Sequence, residues 1–294
     1  MHGRVTGPWT ATALLLAVLV SGCSTAGTKA SVAVHRAPLD GGDVAYSDQG
    51  QGPTTLVFVH GWCCNRTVFA AQLADPLLAR GRRLIAIDLP GHGDSAEPRA
   101  AYSMDLFARA IAAVLDDAGV QRAVLVGHSN GTPAIRQFYR RYPQRTAGLV
   151  LVDGTLQSFF TEPAQWEQFL APLRGPDWQQ RAADFVDAML APVHSAEQRA
   201  RIRAMMLAAS QRTMVGGMEA AVDPAIWQPD PIAVPVLAVM ADSPYWTEEY
   251  AAFVRQLAPA VDYHLLDSVS HFLMIDAPAE FDALLAGWLG RNGW

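Results

Sequence analysis

Ala123-Val124-Leu125-Val126-Gly127-His128-Ser129-Asn130-Gly131 decides the fold. The Val-rich start reads as a buried strand. Beyond Gly131, Ala134, Ile135, Phe138 and Tyr142 recur at helical spacing. Between strand and helix lies G-x-S-x-G, with Ser129 at its centre. A Ser held in so sharp a strand-to-helix turn has its hydroxyl pushed outward as a nucleophile. The glycines two residues to either side let strand and helix approach that turn. Asn130, next in line, offers its backbone N–H to a developing oxyanion at the start of the helix, where negative charge is favoured.

The elements on either side repeat one theme. Thr55 to Val59 is a β-prone run that ends in His60-Gly61-Trp62. Leu84 to Ile87 ends in the turn Asp88-Leu89-Pro90-Gly91-His92-Gly93-Asp94-Ser95. Leu149 to Val152 ends at Asp153-Gly154, and Pro235 to Met240 is followed closely by Asp242. Upstream, Val32 to Ala37 and Asp43 to Tyr46 read as two short strands about an Asp40-Gly41-Gly42 turn. Tyr263 to Leu266 reads as the last strand. Amphipathic helices fall between the apolar strands: one capped by Asn65 and running to about Arg80, one capped by Ser103, one from Thr247 to Leu257, and a last one with Phe281, Leu284, Leu285, Trp288 and Leu289 on one face. Apolar strands alternating with such helices make an α/β fold, a mostly parallel sheet with helices on both faces. Ligands of such sheets bind beyond the carboxyl ends of the strands. Each candidate residue lies just there.

The alternation stops between Thr155 and Pro231. Helical stretches around Glu162–Leu173, Trp178–Leu190 and Ala196–Met218 carry many Met and aromatic residues. They predict a helical cap inserted into the core, because a structureless loop of that length is improbable. Its aromatic residues are expected to pack on the core and in part to line an apolar pocket. The expected organisation is a signal peptide over 1–22, a tether over 23–31, a core over 32–154, the cap over 155–231 and the rest of the core over 232–294.

The chain of 294 residues is 51% hydrophobic and 17% charged, enough for one large core. Its net charge of −6 carries no basic stripe and excludes a nucleic-acid partner as the expectation. Arg4 precedes an apolar run from Ala11 to Val20, too short to span a bilayer and typical of a signal peptide. Val20-Ser21-Gly22-Cys23 resembles a bacterial lipoprotein cleavage site. That resemblance implies that Cys23 carries lipid and holds an exported protein at a membrane surface. Cys63 and Cys64 then remain. Adjacent residues are poorly placed to bridge each other, and the pair lacks the spacing of a metal site.

With these motifs together, the chain resembles the α/β-hydrolase fold family over roughly residues 32–292. The resemblance rests on His60-Gly61-Trp62, Asp88 to Ser95, Gly127 to Gly131 and Ser270-His271-Phe272. It implies a Ser-acid-His triad in that chain order. Ser129 is the nucleophile. His271, alone of the eight histidines in a late loop just after a strand, is the base. His60 and His92 are expected to hold their turns, and His128 to point away from the nucleophile. The acid is open between two residues. In most of the family it follows the strand here equated with Pro235–Met240, at a position filled by Pro244. Asp242 is two residues early. Asp153 matches an arrangement found in a branch of the family, and it is the favoured choice. Asp88 and Asp94 read as turn-stabilising residues. Backbone N–H groups of Trp62 and Asn130 would form the oxyanion hole, with the Trp62 ring as a pocket wall. The implied reaction is hydrolysis of a carboxylic ester, or a similar acyl bond, of a small apolar substrate, with no metal or organic cofactor. Carbon–carbon bond hydrolysis, lactonase and cofactor-free haloperoxidase chemistry use the same triad. A non-catalytic surface lipoprotein that binds an apolar ligand is the reading from a different class.

Overall fold

In a computed structural model of the chain, residues 1–3, 33–160 and 162–294 are described. The signal-peptide reading, the tether and Cys23 fall outside the described residues. Residues 1–31 and 32–294 form separate units, and the second holds the fold.

Eight strands form one sheet. They are β1 (Val34–Leu39), β2 (Gly42–Gly50), β3 (Thr54–Val59), β4 (Arg82–Ile87), β5 (Ala123–His128), β6 (Thr146–Val152), β7 (Val236–Ala241) and β8 (Asp262–Leu266). Their spatial order is β1-β2-β4-β3-β5-β6-β7-β8. β1 and β2 form an antiparallel hairpin, and β2 pairs antiparallel with β4. All later pairings are parallel. Asp40 and Gly41 both take positive φ, 48° and 80°, which closes the hairpin tightly. β5, β6 and β7 are buried along their whole length, as strands covered on both faces must be. Two apolar clusters, one on each side of the sheet, supply that cover. Phe107, Ile111, Ile135 and Phe138 belong to one, Phe69, Phe272, Phe281 and Leu285 to the other.

Between β6 and β7 the described residues hold four α-helices and no strand: Pro163–Arg174, Trp178–Leu190, Ala196–Leu207 and Gln211–Glu219. The long helical stretch expected up to Met218 is thus two helices. The second is capped by Ser210, whose hydroxyl accepts the Thr213 N–H. The single helix expected from Asn65 to Arg80 is also broken. Asn65 does cap its start, but only a short 3-10 turn, Arg66–Phe69, follows directly. Pro76 cannot donate a backbone hydrogen bond, so Ala70–Ala74 stops and Pro76–Ala79 starts afresh under an Asp75 cap.

Candidate active site

Ser129 sits between β5 and the helix Gly131–Arg141 with φ 53°, a left-handed conformation costly for a residue with a side chain. The surroundings over-determine it. Its N–H donates to Val152 O (2.9 Å) and its C=O accepts from Thr132 N (2.9 Å). A Cβ on Gly131 would lie 2.3 Å from Val59 O, so only glycine lets the helix start against β3. Gly61 brings the His60-Gly61-Trp62 turn equally close: a Cβ there would lie 2.8 Å from Ser129 Cβ. The two turns expected to supply oxyanion donors therefore meet at Ser129. Among the described residues neither the Trp62 nor the Asn130 backbone N–H has an internal acceptor.

His271 lies after β8, on a turn whose backbone is fixed by its neighbours. Ser270 N–H donates to Asp276 Oδ2 (2.7 Å) and Phe272 N–H to Ser270 Oγ (3.1 Å). His271 Nδ1 is 2.6 Å from Asp153 Oδ2. A carboxylate oxygen there takes the Nδ1–H and leaves Nε2 as the free, basic nitrogen. Asp153 is buried (6% exposed) and has φ 44°. Its Oδ1 accepts from the Ala241 N–H and from the Trp246 indole Nε1–H, both at 2.7 Å. Asp242 is exposed and has no contact with His271; its N–H pairs with Leu266 O (2.8 Å).

His128 contributes more than its sequence position suggested. Its Nε2 is 2.9 Å from the His271 carbonyl oxygen, and its ring lies 4.7 Å from the His271 ring. A carbonyl only accepts, so Nε2 carries the proton and Nδ1 is bare, buried and without a partner. Burial, with the neighbouring His271 adding to it, holds the His128 pKa well below its ordinary value. The ring that supports the His271 turn is thus neutral.

The Gly-rich turns hold themselves together as expected. His60 Nε2 accepts the Leu89 N–H (3.0 Å), and His92 Nδ1 donates to Pro90 O (3.0 Å). Burial lowers their pKa values to about 4 and about 3. Asp88 accepts the N–H groups of Arg66 (2.6 Å) and Asp94 (2.9 Å) and pairs with the Arg66 guanidinium. Cys63 and Cys64 are buried free thiols, pushed up by burial, Cys64 to about 12.

Trp62 packs against the helices between β6 and β7. It is 4% exposed, its Nε1–H donates to Met214 O (2.7 Å), and its ring meets Phe185 edge-on at 5.5 Å. Asn130 Nδ2 likewise donates to Gly217 O (2.9 Å). Both acceptors lie in helix Gln211–Glu219. Sequence reading missed these two links, as well as His128 and Trp246. A hydrogen bond between residues 87 or 152 positions apart leaves no local pattern. A groove of about 870 Å³ lies elsewhere, beside Pro235, Val261 and Trp288 at the start of β7 and β8.

The fold thus brings a Ser at a strained strand–helix elbow, a His–Asp pair after later strands and unpaired N–H groups to the carboxyl ends of the strands, where ligands of α/β sheets bind. Residues 54–278 match the model of the alpha/beta hydrolase fold family, and the chain belongs to that family. It is 38% identical over 105 residues to a bifunctional esterase/perhydrolase of Acinetobacter calcoaceticus, covering 35% of this chain and 38% of that one. It is 37% identical over 133 residues to a 2-hydroxy-6-oxononadienedioate/2-hydroxy-6-oxononatrienedioate hydrolase of Paraburkholderia phymatum, covering 43% and 46%. The chain thus spans less than half the length of these curated relatives. A thermophilic esterase from Thermogutta terrifontis superposes with a TM-score of 0.76 at 22% identity, over 88% of this chain and 99% of that one, and shares the fold.

Proposed function

We propose that the protein is a serine hydrolase that cleaves a carboxylic ester, or a similar acyl bond, of a small apolar substrate. The 2.6 Å pairing of His271 with the buried Asp153, beside a Ser129 elbow at φ 53°, carries this reading. Ser129 Oγ attacks the acyl carbon while His271 Nε2 takes its proton. Asp153 stabilises the resulting imidazolium. The backbone N–H groups of Trp62 and Asn130 receive the oxyanion. His271 then returns the proton to the leaving alcohol, activates a water on the acyl-enzyme, and the acid departs. The esterase among the relatives supports the ester as substrate. The dienoate hydrolase among them supports carbon–carbon bond cleavage on the same residues as the second reading.

The deciding experiment is hydrolysis of short p-nitrophenyl esters by the protein and by Ser129→Ala, with fluorophosphonate labelling of both. Ester turnover and labelling are expected in the parent, with a loss of about 10⁴-fold or more in the variant. A Ser129 that labels without ester turnover would favour the carbon–carbon hydrolase. A Ser129 that resists labelling would reject the serine-hydrolase reading. For the N-terminus, we propose export and lipid attachment at Cys23; incorporation of radiolabelled palmitate that Cys23→Ala does not abolish would reject it.

A further inference from the structure

The loop after β7 holds no carboxylate against His271, although position 244, where the resembled pattern expects an acid, lies in it as Pro244. Instead it delivers an indole. A turn closed by Trp246 N–H to Ser243 O (3.1 Å) precedes helix Glu248–Leu257, which Thr247 caps. The turn aims Trp246 Nε1–H at Asp153 Oδ1 (2.7 Å). The same oxygen takes the Ala241 N–H, and Oδ2 takes His271. Trp246 is itself braced. It is 8% exposed, and its ring lies 4.9 Å from that of Tyr250. Tyr250 in turn donates its hydroxyl to Gly154 O (3.3 Å) and accepts the Leu156 N–H (3.1 Å), next to Asp153 in the chain.

We propose that Trp246 is a positioning residue that fixes the Asp153 carboxylate against His271 through its indole N–H. The acid would thus come from the loop after β6 and its clamp from the loop after β7. A buried carboxylate has about four acceptor sites, and one left unpaired in a dry place costs stability or turns the group. Here the three donors approach both oxygens, so the plane of the carboxylate is set before any substrate arrives. The inference rests on the serine-hydrolase reading only for its catalytic consequence; the orientation of His271 by Asp153 is independent of it.

The test reads His271 directly. The other titratable groups around it are Asp276, which accepts the Ser270 N–H, one histidine and two tyrosines. His128 on β5 is held neutral by burial. Tyr250 is pushed above its ordinary range by burial, and Tyr263 on β8 up to about 12. Histidine-labelled full-length protein is titrated by NMR, beside Trp246→Phe and Trp246→3-benzothienylalanine. The second replaces the N–H by sulfur in a ring of the same shape, so it separates the bond from the packing. A carboxylate that loses a donor keeps its charge less dispersed and favours the proton on His271. The His271 midpoint is expected to rise by several tenths of a pH unit in both variants. kcat is expected to fall about 10-fold with KM little changed, and the acid limb of kcat/KM to follow the midpoint. An unchanged His271 midpoint in the 3-benzothienylalanine form would overturn the proposal, whatever its thermal stability. A shifted midpoint in a protein whose Ser129 never labels would sustain the clamp and reject the hydrolase reading.

Discussion

Asp153 follows the last residue of β6 and Asp242 the last residue of β7, and these two strands pair in parallel. From the chain alone they look alike: an apolar run, then an aspartate. In the fold they diverge. Asp153 is buried, takes a left-handed backbone and receives His271, Ala241 and Trp246. Asp242 faces solvent, and only its backbone is engaged, by β8. The difference lies in the next residues of each loop. Gly154 lets the chain pass directly over the nucleophile elbow: a Cβ there would lie 2.1 Å from Thr132 Oγ1 and 2.7 Å from Ser129 O. After Asp242 the chain turns outward through Ser243-Pro244. An acid serves a histidine when its loop is drawn inward, not merely when it ends a strand.

Exchanging carboxylate for amide tests that contrast most severely. Asp153→Asn is expected to cost about 10³- to 10⁴-fold in kcat on an ester substrate, since an amide favours the wrong His271 tautomer. Asp242→Asn is expected to stay within about twofold, and within about 0.5 kcal/mol in stability, as exposed substitutions do. Comparable losses in both would dissolve the distinction. Next in size is Gly154→Ala. Its Cβ has to displace the backbone at Ser129, so about 1–3 kcal/mol of stability should be lost, with a lower Tm by calorimetry and weakened labelling of Ser129. A variant as stable as the parent would show that Gly154 does not draw the loop inward.

A third aspartate, buried like Asp153, separates burial from bonding. Asp282 is 2% exposed, but the N–H donor that faces it is Gln72 Nε2 (3.0 Å), against three donors at Asp153. Burial pushes its pKa up to about 6, and the like charge of Asp75 adds to the rise. A raised folded-state pKa means that the folded protein binds the proton more tightly than the unfolded chain. Stability from this group is therefore greatest at low pH and declines as pH rises from about 4 to about 6. Asp282→Asn should flatten that segment of a denaturation-versus-pH profile and stabilise the protein at pH 7 by up to about 3 kcal/mol. A parallel profile in the variant would show that Asp282 ionises freely where it lies.

What the sequence revealed and what it hid divide along the same line. The sheet, the elbow and the glycines beside Ser129 are local: each is a short pattern whose backbone demands few residue types. His271 was readable because its loop follows the last strand. The choice of Asp153 over Asp242 was a preference drawn from resemblance, since both satisfy the local rule. Which carboxylate reaches His271 depends on contacts across 118 positions. His128 was expected to point away from the nucleophile; its ring lies under the His271 turn, a placement set by pairing across 143 positions. The single helix expected from Asn65 to about Arg80 is broken at Pro76, whose missing N–H ends one helix and lets Asp75 cap the next.

The links from Trp62 to Met214 and from Asn130 to Gly217 leave helix Gln211–Glu219 in the position of a doorpost. The two residues proposed to hold the oxyanion each donate a side-chain hydrogen bond to it. One helix thus anchors both rims of the proposed anion cradle, and a displacement of it would disturb the two together.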